Sequence, residues 1–148
     1  MMSDQRKVLI VAPESAIRQQ ILGRVAAQAC RTVTAGTGSD ALLAVVEHDV
    51  ALVILDLSIA EPSGSRTIEI LRKIRPRLPV VVLSDDRSLE TGRQVLQHGV
   101  FYYLLTPFDV DELDQIVRIA LTSTMQRAAG VEERSREWQS AGERGGVA

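Results

Sequence analysis

Short runs of β-branched and aliphatic residues recur along the chain, and each is followed by residues at helical spacing. Val8-Leu9-Ile10-Val11 is the first run. Val33-Thr34-Ala35 is a weaker second, ahead of the turn Gly36-Thr37-Gly38. Ala51 to Leu57 is the strongest, with Val53-Ile54-Leu55 at its centre, and Ser58 to Gly64 reads as the loop after it. Pro79 to Leu83 and Phe101 to Leu105 complete the set, the last closed by Thr106-Pro107. A strand that is apolar at successive positions must be covered on both faces. Such strands alternating with helices therefore predict an α/β fold, a doubly wound parallel sheet with helices on both sides.

The helical stripes fill in the other layers. Ile17, Ile21, Leu22, Val25 and Ala29 fall on one face of a helix beginning near Ser15. Ala41, Leu42, Val45 and Val46 mark a second helix; Ile68, Leu71 and Ile74 mark a third, stopped by Pro76. Leu89, Val95 and Leu96 mark a fourth, ended by Gly99. Asp109 opens a long fifth helix with Val110, Leu113, Ile116, Val117, Ala120 and Leu121 inward, and Glu112 is placed as its capping-box partner.

Bulk composition narrows the function. With 45% hydrophobic and 24% charged residues, the 148-residue chain has ordinary globular composition. A net charge of −2 argues against nucleic acid or a membrane surface as partner. One cysteine, Cys30, excludes an internal disulfide framework and a multi-cysteine metal site. Together with the lack of a long apolar leader, this predicts a cytoplasmic protein. Residues 126–148 differ from the rest. They are charge-balanced and poor in large apolar side chains apart from Val131, Trp138 and Val147, and read as a flexible tail or an extension of the last helix.

In an open parallel sheet, ligands meet the carboxyl ends of the strands. Those positions hold Ala12, Pro13 and Glu14 after the first strand, Asp56 at the end of the third, Ser84, Asp85 and Asp86 after the fourth, and Thr106 and Pro107 after the fifth. The cluster is acidic and hydroxylic, with no Lys or Arg at a strand end. Asp56 alone could simply hydrogen-bond its own loop. Glu14, Asp56 and Asp85 are weak candidates for a carboxylate metal site. No nucleophile–base pair is recognisable, and Gly36-Thr37-Gly38 has neither the spacing nor the Lys of a phosphate loop. The chain is not expected to be an enzyme.

Lys7-Val8-Leu9-Ile10-Val11, Leu52 to Leu57, Pro79 to Ser84 and Gly99 to Phe108 followed by Asp111-Glu112-Leu113 together resemble the receiver domain of two-component response regulators. The resemblance spans about residues 6–125, in register at all the strands. It implies a flavodoxin-like three-layer (βα)5 sandwich with strand order 2-1-3-4-5. It also implies that Asp56 is the phosphoacceptor position for a histidine kinase, and that Ser84 and Tyr103 are the switch positions. Gly64 matches the loop pattern after the acceptor.

The departures from the family shape the functional expectation. The acidic pair that helps hold Mg²⁺ in the family is replaced by Ala12 and Pro13, and the Lys on the last strand by Thr106. Phosphoryl transfer depends on charge neutralisation by metal and cation, so each loss lowers transition-state stabilisation. Mg²⁺ binding is expected to be weak or absent, with no cofactor. The resulting expectation is an atypical receiver that signals as a protein-interaction module, independent of phosphorylation. Its contact surface would be helix 4, strand 5 and helix 5, open to a partner or to a homodimer, with Asp111, Asp114, Arg118 and Arg93 as the face's charges. A conventional phosphorelay regulator phosphorylated on Asp56 is the alternative. A haloacid-type hydrolase fits poorly, because its second acid would fall on Ser58.

Overall fold

The computed structural model describes residues 7–123. The elements run β1 (Lys7–Val11), α1 (Ala16–Ala26), β2 (Arg31–Ala35), α2 (Gly38–Glu47), β3 (Val50–Asp56), α3 (Gly64–Ile74), β4 (Val80–Ser84), α4 (Leu89–Gln97) and β5 (Tyr102–Leu105). A last helix, α5, is helical from 110 to 123. All strand pairings are parallel, in the order β2-β1-β3-β4-β5. The doubly wound architecture and the strand order expected from the sequence are both present. The segment 126–148, with Trp138, lies outside the described residues.

Alternation of side chains along each strand divides the core into two layers. Leu9, Val11, Val53, Leu55, Val80 and Val82 face α2, α3 and α4, where Ala41, Ile68, Leu71 and Val95 meet them. Val8, Ile10, Leu52, Ile54, Val81 and Leu83 face α1 and α5, where Ile21, Val25, Leu113, Val117 and Ala120 close the other side. Both registers are apolar because both faces are covered. β2, at the sheet edge, is the exception: only Ala35 of its residues is buried.

Helix starts follow from capping chemistry. Ser15, Thr37, Ser63 and Ser88 each accept a hydrogen bond from the backbone N–H three residues on, at Arg18, Asp40, Arg66 and Thr91. Asp109 caps α5 through the N–H of Asp111, at 2.8 Å. The expected return bond from Glu112 is replaced: its carboxylate accepts from the Tyr102 hydroxyl at 2.9 Å.

The helical stripes are narrower than the sequence pattern suggests. Ile17, Val46, Ile74, Leu89 and Leu96 are exposed, and Ala29 lies beyond α1 in a turn with φ of 60°. α4 buries only Val95. These helices are short and rest on a sheet that already fills the space beneath them, so one or two turns of contact use up the available cover.

Two residues of α3 fix connections at opposite ends of the sheet. The Arg72 guanidinium on α3 donates to the carbonyls of Pro76, Gly99 and Leu78, tying the turn before β4 to the turn before β5. Gly64, at the start of α3, lies against the backbone of Leu57, where an added Cβ would stand 2.5 Å from the Leu57 carbonyl oxygen. Gly23 in α1 has nothing within 4 Å of that position. Opposite outcomes are expected. Gly23→Ala should stabilise the fold by about 0.5–1 kcal/mol. Gly64→Ala should destabilise it by roughly 1–3 kcal/mol, as overpacking against backbone does. Urea melts of the two variants beside wild type check both signs.

Candidate functional site

The sheet delivers Asp56, Ser84 and Thr106 to neighbouring strand ends. Asp56 stands opposite Leu83, and Ser84 opposite Leu105. The Leu57 N–H continues the ladder to the Leu83 carbonyl at 2.8 Å, and the Thr106 N–H to the Ser84 carbonyl at 2.9 Å. Adjacent strands are about 4.8 Å apart, so the three residues form a row across one end of the sheet.

Asp56 is the first side chain of β3 that is not fully buried, after six consecutive buried residues. Its carboxylate accepts a hydrogen bond from the Ser58 N–H at 2.9 Å, starting an Asx turn. The loop beyond it is tied to α2. The Gly38 N–H donates to the Ala60 carbonyl at 3.0 Å. The Ser39 N–H and hydroxyl both donate to the Glu61 carbonyl, at 2.9 and 2.8 Å. Glu61 has φ of 60°, unfavourable for a residue with a side chain, and this pair of bonds helps hold it there.

The loop after β4 is closed on itself and on β5. Ser84 is buried, and its hydroxyl oxygen accepts from the Asp86 N–H at 3.0 Å. The Asp86 carboxylate accepts from the Thr91 hydroxyl at 2.6 Å and the Ser88 N–H at 2.8 Å. The Thr91 hydroxyl bond first, and the Ser88 bonds after it, hold the Asp86 carboxyl below the usual carboxylate range. The half-buried Tyr103 packs its ring against the α2–α3–α4 side of the core and donates its hydroxyl to the Asp86 carbonyl at 3.0 Å.

The structure adds to two readings of the strand ends. Glu14 and Asp85 are exposed, and among the described residues no three His, Cys, Asp or Glu side chains come together as a metal site. Asp56 ends β3, Glu14 and Asp85 lie in the loops after β1 and β4, and the Asp56 carboxylate accepts from the backbone of its own loop. Nor are the strand ends free of cations. Arg18, one turn into α1, donates to the Ala12 carbonyl at 3.2 Å, and Arg87 reaches from the β4–α4 loop to the Thr106 carbonyl at 3.4 Å. Neither Arg stands at a strand end in the sequence. Only their reach back over the loops could have signalled them.

These features are those of a known family. The description "Response regulator receiver domain" matches residues 8–118. The chain belongs to the response regulator receiver family. Among its curated relatives, it is 31% identical over 115 residues to the regulatory protein AtoC of Escherichia coli, covering 78% of this chain and 25% of that one. It is 34% identical over 119 residues to the transcriptional regulatory protein GlrR of the same species, covering 80% and 26%. The receiver therefore spans about a quarter of the length of those relatives. Among solved structures, NtrX from Brucella abortus superposes with a TM-score of 0.81 at 26% identity, covering 88% of this chain and 30% of that one. A Francisella response-regulator receiver domain superposes at 0.74 with 30% identity, covering 80% and 98%.

The receiver's family ion, Mg²⁺, does not fit the residues present. Ala12 is buried and apolar, Pro13 offers no side-chain oxygen, and among the described residues Asp56 belongs to no group of three or more His, Cys, Asp or Glu side chains that could hold a metal.

The Asp86 network carries a pH signature. Its folded-state carboxyl titrates below its unfolded value, so its stabilisation is present above the unfolded pKa and fades as pH falls through the folded one. Between pH 7 and pH values below about 4, wild type should therefore lose more thermal stability than Asp86→Asn. Paired thermal melts across that range check it; parallel acid limbs would mean the network contributes nothing.

Proposed function

We propose that this receiver signals by protein contact and does not depend on phosphorylation of Asp56. It is not an enzyme, and it works in the cytoplasm. The observation that carries this reading is the β4–α4 loop. Bonds among Ser84, Asp86, Ser88, Thr91 and Tyr103 fix the loop and the start of α4 from within the protein. Ala12, Pro13 and Thr106 in place of two acids and a Lys support it, since they remove the groups that would neutralise an arriving phosphoryl charge.

The contact surface in this reading is α4, β5 and α5. Leu96, Tyr102 and Ile119 are exposed there, at 58%, 39% and 56%, and Leu89 extends the patch along α4. Exposed apolar side chains grouped in this way suit a protein partner. The charges expected on this face are largely elsewhere. Asp114 makes a two-point pair with Arg24 on α1, and Asp111 lies 3.6 Å from the same guanidinium. Arg118, seven residues after Asp111, stands on that same flank of α5. Arg93 and Glu112 remain on the output side.

One observation favours the conventional phosphorelay reading. Asp56 and Ser84 occupy adjacent strand ends, and Arg87 brings a guanidinium to Thr106, near the place of the missing Lys.

Incubation with acetyl phosphate and Mg²⁺ followed by intact-mass measurement separates the two. The expected result is no stoichiometric phosphoryl gain, and unchanged amide exchange in α4 when beryllofluoride is added. A full phosphoryl gain that Asp56→Asn abolishes would establish the conventional switch instead. Tyr103→Phe should speed exchange at the start of α4 by about fivefold, in line with the loss of one hydrogen bond of about 1 kcal/mol. Unaltered exchange would show that the tyrosine does not hold the loop.

A further inference from the structure

The outer face of α2 and α3 carries a second exposed apolar strip, which the output surface leaves unused. Leu43 and Val46 on α2 are 54% and 74% exposed, and Ile74 on α3 is 45% exposed. The two helices touch at Gly38, where an added Cβ would stand 2.2 Å from the Thr67 hydroxyl oxygen. That contact fixes which flank of each helix meets the other. Val46 lies eight residues on from Gly38 and Ile74 seven on from Thr67, so both border the seam between the helices. Leu43 continues the strip outward across α2.

Charge flanks this strip with opposite sign on its two sides. α2 carries Asp40 and Glu47 and no cation. These two acids are seven residues apart, on the margin away from α3. Beyond Ile74, the outer margin of α3 presents Arg66 and Lys73, again seven apart, with Glu69 between them; Arg66 is paired with Glu69 at 2.6 Å, so Lys73 carries the net positive charge of this margin. Helix stability does not account for Glu47, since it ends α2 where the macrodipole disfavours a carboxylate.

We infer that this face binds a second copy of the chain about a two-fold axis. The acidic margin of α2 in each copy meets the basic margin of α3 in the other, with the apolar strips packed between them. A margin of each sign on either side of an apolar centre is self-complementary under that symmetry. α4, β5 and α5 stay open to a different partner. The contact also reaches the acceptor loop, because Gly38 and Ser39 of α2 hold the Ala60 and Glu61 carbonyls after Asp56.

Sedimentation velocity of the full chain over a dilution series tests this. Wild type should pass from monomer to dimer with rising concentration. Val46→Ser and Lys73→Glu should each weaken association about tenfold or more, because each change counts twice across a two-fold. Combining Glu47→Lys with Lys73→Glu should restore it, and Ile119→Ser on the output face should leave it unchanged. Leu43→Ser serves as a second strip variant if Val46→Ser melts early. The inference is overturned by a wild type that is monomeric throughout, by loss of the dimer in Ile119→Ser with retention in the strip variants, or by a charge-swapped double variant as weak as Lys73→Glu alone.

Discussion

Burial of β3 on both faces is the constraint on which the rest of the molecule depends. Val50 to Leu55 are all buried, with α2, α3 and α4 covering one register and α1 and α5 the other. A slip by one residue would draw the carboxylate of Asp49 or Asp56 into the apolar layers, so the acids that bracket the buried run fix its register. Its first accessible side chain is then determined by where the two helical layers stop. That side chain is Asp56, delivered to the sheet end by a rigid backbone. The same logic on β4 delivers Ser84, still buried, one strand away.

The two loops that leave these strands are held by different neighbours, and this divides the domain. The loop after β3 is fastened to α2 through the Ala60 and Glu61 carbonyls. The loop after β4 is fastened to β5 through Tyr103 and Arg87, and to α4 through Thr91. The Asp56 carboxylate is hydrogen-bonded within its own loop, to the Ser58 N–H. A carboxylate so placed has no direct handle on the β4–α4 loop. Ser84 is joined to that loop through the Asp86 N–H, which its hydroxyl oxygen accepts, and Thr91 and Tyr103 fasten the loop further. Those bonds are the physical basis for reading the output face as held in place from within.

The sheet and most of the site were legible in the sequence because their signals are local. Runs such as Val53-Ile54-Leu55 mark strands, Ser15, Thr37, Ser63 and Ser88 mark helix starts, and Asp56 and Ser84 follow from the ends of the runs. What was not legible depends on reach between elements. Arg18 and Arg87 touch the strand ends from a helix and a loop, where no strand pattern points to them. Glu112 stood at the spacing of a capping partner, yet the Tyr102 hydroxyl claimed it from the neighbouring strand. Glu14, Asp56 and Asp85 share a strand-end position in the sequence, yet among the described residues they form no three-ligand group, because strand-end order says nothing about which way a loop turns its side chains.

The exposed apolar residues follow from the same constraint that fixes the core. Each helix must cover a sheet whose side chains are already closely spaced, so small residues such as Ala41 and Ala44 face inward on α2 and the larger Leu43 and Val46 are left outside. On α4 the single buried Val95 leaves Leu89 and Leu96 outside in the same way. Thin helical cover over a thick sheet therefore leaves apolar strips in two places, α2–α3 and α4–β5–α5. They differ in what surrounds them. The first lies between an acidic and a basic margin, while the second has lost Asp111 and Asp114 to Arg24 on the far side of α5. Charges of both signs on opposite margins favour a like surface, and a largely apolar face with a tyrosine at its centre favours an unlike one. On these grounds the two strips differ in the kind of surface that each suits.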